Sequence, residues 1–248
     1  MSAAEPGAAR DSLTEPESTA GTAQPSADSI RVLLVDDQKL FRAGIAVIVD
    51  NQPGMHVVGE AGDGFEALEC VERLRPDVVL MDIRMPEMDG VEATRRIFEP
   101  VPGDPFRQPP RVIVLTTFNL DDRAARAIRH GASGFLLKDS SPAQLGDAVR
   151  TVHSGNAVLA PADLAMLLDG EFSMTPVPET PQAYLELTSR ELDIFAEAAR
   201  GLANAEIAAS MFLSESTVKT HLSSILRKLD LRDRVQLVVY AHEHSLPR

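Results

Sequence analysis

Three features of this sequence predict an α/β chain of two domains, a doubly wound parallel sheet followed by a small all-helical unit. Five short apolar runs alternate with amphipathic helical stretches between residues 30 and 153. The central run, Val78-Val79-Leu80-Met81, is apolar at every position, as a strand buried on both faces of a parallel sheet must be. From residue 185 the pattern is helical, with capping residues at regular intervals.

The chain has 248 residues, enough for two modest domains that each bury a core. Residues 1–29 are rich in Ala, Ser, Thr, Glu and Pro, with Leu13 their only large apolar residue after Met1. Such a segment buries too little surface to offset its ordering entropy, so a disordered tail is expected there. The strands follow as Ile30–Val35, Met55–Glu60, Val78–Asp82, Val112–Thr116 and Gly134–Lys138. Helices are expected through Leu40–Ile48, Ala67–Leu74, Ala93–Phe98, Arg123–His130 and Ala143–His153. A proline-rich stretch, Pro100 to Pro110, lengthens the connection before the fourth strand and reads as a surface loop.

One cysteine, Cys70, excludes an intramolecular disulfide and points to a reducing compartment. No apolar run approaches the roughly 18 residues of a membrane span, and the first residues lack the pattern of a secretory signal. A cytoplasmic protein without membrane partners is expected. The net charge of −13 argues against wholesale coating of nucleic acid. Residues 185–248, however, carry eight Lys and Arg against nine Asp and Glu, so a local basic face is possible there.

Of the strand orders open to such a sheet, the flavodoxin-like order 2-1-3-4-5 places the first and third strands side by side at its switch point. Asp36, Asp37 and Asp82 then converge from neighbouring strands, Thr116 ends the next strand, and Lys138 the one beyond. Three carboxylates so close repel each other unless a charge compensates them, and a hard cation with oxygen ligands, Mg²⁺, suits so open a site. A cation, a hydroxyl and an ammonium around Asp82 suit a tetrahedral phosphoryl group, with Asp82 as the nucleophile that forms an acyl phosphate. Taken singly, each of these residues reads better as a solvated strand end or as part of a structural Ca²⁺ or Mg²⁺ site. All five at strand ends point to phosphoryl chemistry.

Residues 30–153 resemble the receiver domain of bacterial response regulators. The likeness rests on Val35-Asp36-Asp37, on Met81-Asp82-Ile83-Arg84-Met85-Pro86-Glu87-Met88-Asp89-Gly90, on Leu115-Thr116-Thr117-Phe118 and on Phe135-Leu136-Leu137-Lys138-Asp139. The resemblance implies that Asp82 takes phosphate from the phosphohistidine of a sensor histidine kinase. It implies that Asp37, Asp82 and the backbone carbonyl of Arg84 hold Mg²⁺, assisted by Asp36. It also places Thr116 and Phe135 at the positions that report phosphorylation. Phe135 stands where Tyr is common, so an inward rotation buries a ring without a hydrogen bond.

Residues 154–184 are expected to form an extra mildly helical stretch and a linker punctuated by Pro176, Pro178 and Pro181. Thr188 and Glu191 then form a capping box, and Gly201 follows the helix they open. A second helix starts near Asn204; Ala203 occupies the place of a capping hydroxyl, leaving a weak start or a cap from Asn204. Ser214 caps a third helix that continues to Leu229. On that helix Val218, Leu222, Ile225, Leu226 and Leu229 form an apolar stripe, while Ser216, Lys219, Thr220, Ser223 and Arg227 form a face without an acid. A solvated helix face usually mixes Glu with Lys; this one suits the major groove of double-stranded DNA.

Leu187–Glu191, Asn204–Ala208 and Leu213–His221 resemble the LuxR-type helix-turn-helix domain over residues 185–248. With the receiver, this indicates the NarL/FixJ subfamily of response regulators. The resemblance makes Lys219 and Thr220 groove contacts, puts Thr217 and Lys228 nearer phosphates, and leaves Ser223 where relatives often carry a contact. A last helix, Arg234–His244, sets Val235, Val238, Val239 and His242 on one side; in the family this helix pairs protomers, and intramolecular packing accounts for the same residues. The expectation is a transcription regulator switched by phosphorylation of Asp82, a homodimer when phosphorylated, and not an enzyme acting on outside substrates. The alternative is a Mg²⁺-dependent aspartyl-phosphate phosphohydrolase, which needs a substrate pocket or cap insertion that the sequence does not display.

Overall fold

The computed structural model describes residues 29–99, 108–117, 122–155 and 180–247. The expected tail before Ser29, most of the proline-rich loop, the extra helix and most of the linker lie outside these residues. Strands β1 (Ile30–Val35), β2 (Met55–Ala61), β3 (Val78–Asp82), β4 (Arg111–Thr116) and β5 (Gly134–Leu137) form one parallel sheet in the order β2-β1-β3-β4-β5. Helices α1 (Lys39–Asp50), α2 (Gly64–Leu74), α3 (Gly90–Ile97), α4 (Asp122–Arg129) and α5 (Pro142–His153) connect and follow them.

Alternation along the strands explains the two layers of core. In β3, which is buried throughout, Val79 and Met81 point to one face and Val78 and Leu80 to the other. The first face packs against α2, α3 and α4 through Ala67, Val71, Val91, Ile97, Ala124 and Ile128. The second packs against α1 and α5 through Val49, Leu145, Val149 and Val152. Local chemistry starts the helices where the sequence signals them. Asp63 accepts from the amides of Phe65 and Glu66, Asp89 from that of Glu92, and Ser141 with Gln144 closes a capping box around Pro142.

Five further helices make the C-terminal unit: α6 (Gln182–Leu185), α7 (Ser189–Ala199), α8 (Asn204–Ser210), α9 (Glu215–Lys228) and α10 (Arg234–Glu243). Ile194, Phe195, Ile207, Val218, Leu222, Ile225 and Leu237 meet in its core. The capping box of Thr188 and Glu191 forms as expected. At α8 the first of the two alternatives holds, a start without a capping side chain, and Asn204 does not cap. Ala203 is the cap residue, the Glu206 carboxylate accepts from its amide at 2.6 Å, and Asn204 Oδ1 instead accepts from Arg234.

The two units touch through α10. Its Leu237 and Ala241 face the helical core, while Val235, Val238 and Val239 enter the same buried cluster as Ala124, Ala127 and Ile128 of α4. Intramolecular packing is thus what the valine stripe does in this structure.

Candidate phosphorylation site and DNA-facing helix

The carboxyl ends of β1 and β3 deliver Asp36, Asp37 and Asp82 to one place, with one carboxylate oxygen of each within 4.8 Å of the others. Asp36 and Asp82 are buried and Asp37 is exposed, so the cluster opens on one side. The amide of Gln38 donates to Asp36 at 2.8 Å and fixes its side chain. The loop after β3 is pinned by Gly90, whose amide donates to the Ile83 carbonyl at 3.0 Å. A Cβ on Gly90 would stand 1.9 Å from the Asp82 carbonyl oxygen, so only glycine permits α3 to begin this close to β3. Within that loop the backbone amide of Arg84 donates to the Asp82 carboxylate.

From β5 the chain turns so that the Lys138 ammonium reaches back across two strands. It donates to Asp36 Oδ2 at 2.5 Å and lies 2.9 Å from Asp82 Oδ2, with the Phe41 ring 4.8 Å away. Burial pushes the Asp82 carboxyl above its ordinary range, against the opposite pull of Lys138, and Asp36 adds repulsion. Burial alone would lower the Lys138 ammonium, but its bonds to Asp36 and Asp82 outweigh that and leave it raised. Among the described residues one ammonium, paired with Asp36 and Asp82, thus stands at a cluster of three carboxylates. The surplus negative charge and the all-oxygen donor set fit a hard divalent cation.

Thr116 ends β4 one residue beyond Leu115, the partner of Asp82, and its carbonyl accepts from the Lys138 amide at 2.7 Å. Phe135 lies on β5 opposite Val114, partly buried against the α4-side core rather than beside the acidic cluster. The structure therefore brings Asp36, Asp37, Asp82 and Lys138 together, sets Thr116 on the adjoining strand end, and keeps Phe135 in the layer that supports α4. Sequence reasoning missed Gln38 and Phe41. Both lie beside the acidic pair in the sequence, but neither type signals a role before α1 is placed.

In the helical unit, Ser214 caps α9 and its hydroxyl contacts those of Ser216 and Thr217, both at 2.8 Å. Lys219, Thr220, Ser223 and Arg227 are exposed on one side of α9, and the Thr220 hydroxyl donates to the Ser216 carbonyl. Lys228 stands apart from this set. Expected nearer phosphates, its ammonium is bound to Glu191 Oε2 at 2.7 Å in the chain without DNA. The Lys228 bond, with help from Thr188 and Ser224, lowers the buried Glu191 carboxyl to about 2. Lys219, Ser223 and Arg227 also border a cleft whose far side includes Ser154 and Gly155 at the end of α5.

Residues 32–150 match the response regulator receiver domain family, and residues 185–241 match the luxR family of bacterial regulatory proteins. The chain is 40% identical to the transcriptional regulatory protein LiaR of Bacillus subtilis over 217 residues, covering 88% of this chain and 99% of that one. It is 40% identical to the transcriptional regulatory protein LnrK of the same organism over 222 residues, covering 88% and 98%. It is 38% identical to the response regulator VraR of Staphylococcus aureus over 218 residues, covering 88% and 99%. Both matched domains are regulatory, so the phosphohydrolase alternative is not favoured. With a receiver sheet and a LuxR-type helical domain in one polypeptide, the chain belongs to the NarL/FixJ-type response regulators, transcription regulators of two-component systems controlled by phosphorylation.

Proposed function

We propose that residues 30–153 act as a receiver in which Asp82 is the phosphoacceptor, and that residues 185–248, joined to it by 154–184, bind double-stranded DNA. The observation that carries this reading is the Lys138 ammonium held between Asp36 and Asp82 at the edge of an acidic cluster. A carboxylate oxygen of Asp82 attacks the phosphorus of a sensor kinase's phosphohistidine. The new O–P bond forms as the P–N bond breaks, and the imidazole leaves with a proton from solvent. Asp36, Asp37, Asp82 and the backbone carbonyl of Arg84 are the residues that would hold Mg²⁺, which when bound supplies positive charge to the phosphoryl oxygens. Lys138 exchanges its Asp82 partner for a phosphoryl oxygen, and the Thr116 hydroxyl donates to another.

That exchange biases the receiver between two arrangements through Thr116 and Phe135, because only a difference in stability between states shifts their populations. Phe135 packs on the core layer that carries α4, so its inward rotation is felt by α4. The DNA-facing set is Lys219, Thr220, Ser223 and Arg227, with Thr217 at the helix start. The near-neutral helical domain binds weakly alone, and pairing of two phosphorylated protomers supplies avidity. No described helix is long and apolar enough to cross a membrane, and a cytoplasmic site of action accords with the single thiol. The test compares wild type treated with acetyl phosphate against Asp82→Ala, using duplexes selected from a random pool. Phosphorylated wild type should bind more tightly and run as a dimer; equal affinity and equal size in the two would overturn the reading.

A further inference from the structure

A cleft of about 590 Å³ opens where α9 and the segment leading into α10 meet the end of α5. That volume falls within the roughly 300–1,000 Å³ of small-ligand sites. Among the described residues that line it, Lys219, Arg227, Arg232 and Arg234 are cationic and none is acidic. Leu226 and Leu231, both partly exposed, add an apolar stretch of wall. The two inner arginines are fixed in place by neutral groups. Arg232 lays its guanidinium 3.7 Å over the Phe98 ring and donates to the Gly131 carbonyl at 2.5 Å. Arg234 donates to Asn204 Oδ1 at 2.9 Å and to the Leu202 carbonyl. The neighbouring acids are engaged elsewhere: Asp233 accepts from Ser133, Arg111 and the Gln236 amide, and Glu206 from the Ala203 amide. Arg232 Nη1 and Arg234 Nε are buried without a hydrogen-bond partner among the described residues. Burial pushes both guanidiniums down to about 10. Buried cations with spare donors and no bound counter-charge call for an anion.

We propose that this cleft binds a small organic phosphate of nucleotide size, its phosphates gathered by Arg232, Arg234, Lys219 and Arg227 and its organic part laid against Leu226 and Leu231. The planar fork of arginine matches phosphate oxygens two at a time, while lysine adds a point charge on a flexible stem. Inorganic phosphate alone would answer the cations but leave the leucine wall in water, so the organic part adds affinity. The ligand draws Lys219 and Arg227, both exposed on α9, toward the cleft. It therefore competes with DNA for these two side chains. A nucleotide in the cleft lowers DNA affinity whatever the state of Asp82, because none of the groups that hold it belongs to the acidic cluster.

The effect on DNA rests on the reading of α9 as the DNA-facing helix, and the test separates the two. Titration calorimetry on the full chain compares ATP, pyrophosphate and inorganic phosphate at matched ionic strength, with chelator present so that no divalent cation takes part. ATP should saturate one site per chain and bind at least tenfold more tightly than either inorganic anion. Arg234→Gln removes an inner cation, and Ser154→Glu sets an acid on the opposite wall from an exposed position. Each should weaken ATP at least tenfold, and Ser154→Glu keeps the measurement decisive if Arg234→Gln does not fold. No saturable binding of ATP to wild type, or equal binding in a folded variant, overturns the proposal. Pyrophosphate binding as tightly as ATP overturns the organic part of it. In a second measurement, ATP at ten times its dissociation constant should weaken binding of selected duplexes about tenfold in wild type and little in Ser154→Glu. If ATP fills the cleft of wild type and duplex affinity does not change, the reading of α9 fails and the cleft stands. If duplexes bind but ATP does not, the cleft fails and the reading of α9 stands.

Discussion

The Lys138 ammonium and the Asp82 carboxylate are 2.9 Å apart, an ion pair closed from β5 to β3 across the intervening strand. The same ammonium is bound to Asp36, so it is positioned by one carboxylate while it serves the other. Replacing it should injure chemistry more than folding. In Lys138→Met the developing charge on the phosphoryl group loses a pre-positioned donor, and the rate of phosphorylation by acetyl phosphate should fall about 100-fold. Phosphate incorporation measured over time checks this; a rate within threefold of wild type would remove Lys138 from the mechanism.

The acidic cluster makes a second expectation, about the cation. Asp37 is its exposed member and offers a carboxylate oxygen within 4.8 Å of those of the two buried carboxylates. Binding to the folded state alone stabilises it, by about 1.4 kcal/mol when free Mg²⁺ is tenfold above its dissociation constant. The receiver transition in calorimetry should therefore rise with added Mg²⁺ and fall back with chelator. In Asp37→Asn the rise should be much smaller at the same concentration. An equal rise in the variant would mean that Asp37 is no ligand.

The sheet is legible in the sequence because its signals are local. Val78–Met81 reads as a strand buried on both faces, Asp82 ends it, and Gly90 marks where the next helix starts close to that strand's end. Given the strand order, the convergence of Asp36, Asp37, Asp82 and Lys138 follows from topology. Packing between helices is not legible in this way. The bond from Lys228 to Glu191 joins residues 37 apart on different helices, and neither side chain's neighbours announce it. Likewise the spacing of Val235, Val238 and Val239 says that a face is covered but not whether α4 or another chain covers it. At α8, Glu206 is visible at the third helical position, and its role emerges only when the missing hydroxyl at Ala203 is seen to leave the backbone amide for it.

Glu191 gives a pH-dependent expectation. Its folded value of about 2, set first by the Lys228 bond, lies below the ordinary glutamate range near 4.5. A depressed carboxylate contributes stability that is present above the ordinary value and lost as pH falls toward the folded one. Glu191→Gln lacks that contribution, and without its hydrogen bonds to a charged group it should be about 2 kcal/mol less stable at pH 7. The gap should narrow steadily between pH 4.5 and pH 2. Both tyrosines of the chain, Tyr184 and Tyr240, lie in the helical unit against Phe195, and there is no tryptophan. Tyrosine fluorescence during urea unfolding of the intact chain therefore reads this unit, and a gap independent of pH would contradict the assignment.

The different placements of Lys228 and its neighbours separate DNA recognition from stability. Lys219 and Arg227 are exposed on the α9 face, whereas the Lys228 ammonium is committed to a buried carboxylate. Removing one cation that neutralises a phosphate should reduce the slope of log affinity against log salt by about 0.9. Lys219→Ala and Arg227→Ala should each weaken binding to selected duplexes, and a residue that meets phosphate should show the shallower slope. A residue that reads a base edge should instead lose about 1–3 kcal/mol of discrimination with the slope retained. Lys228→Ala should leave the slope of the folded protein unchanged and lower the unfolding midpoint of the helical unit, because Glu191 keeps its burial and loses its partner. If Lys228→Ala instead flattens the salt dependence at full stability, its ammonium leaves Glu191 for DNA, and the ion pair seen here belongs to the free protein alone.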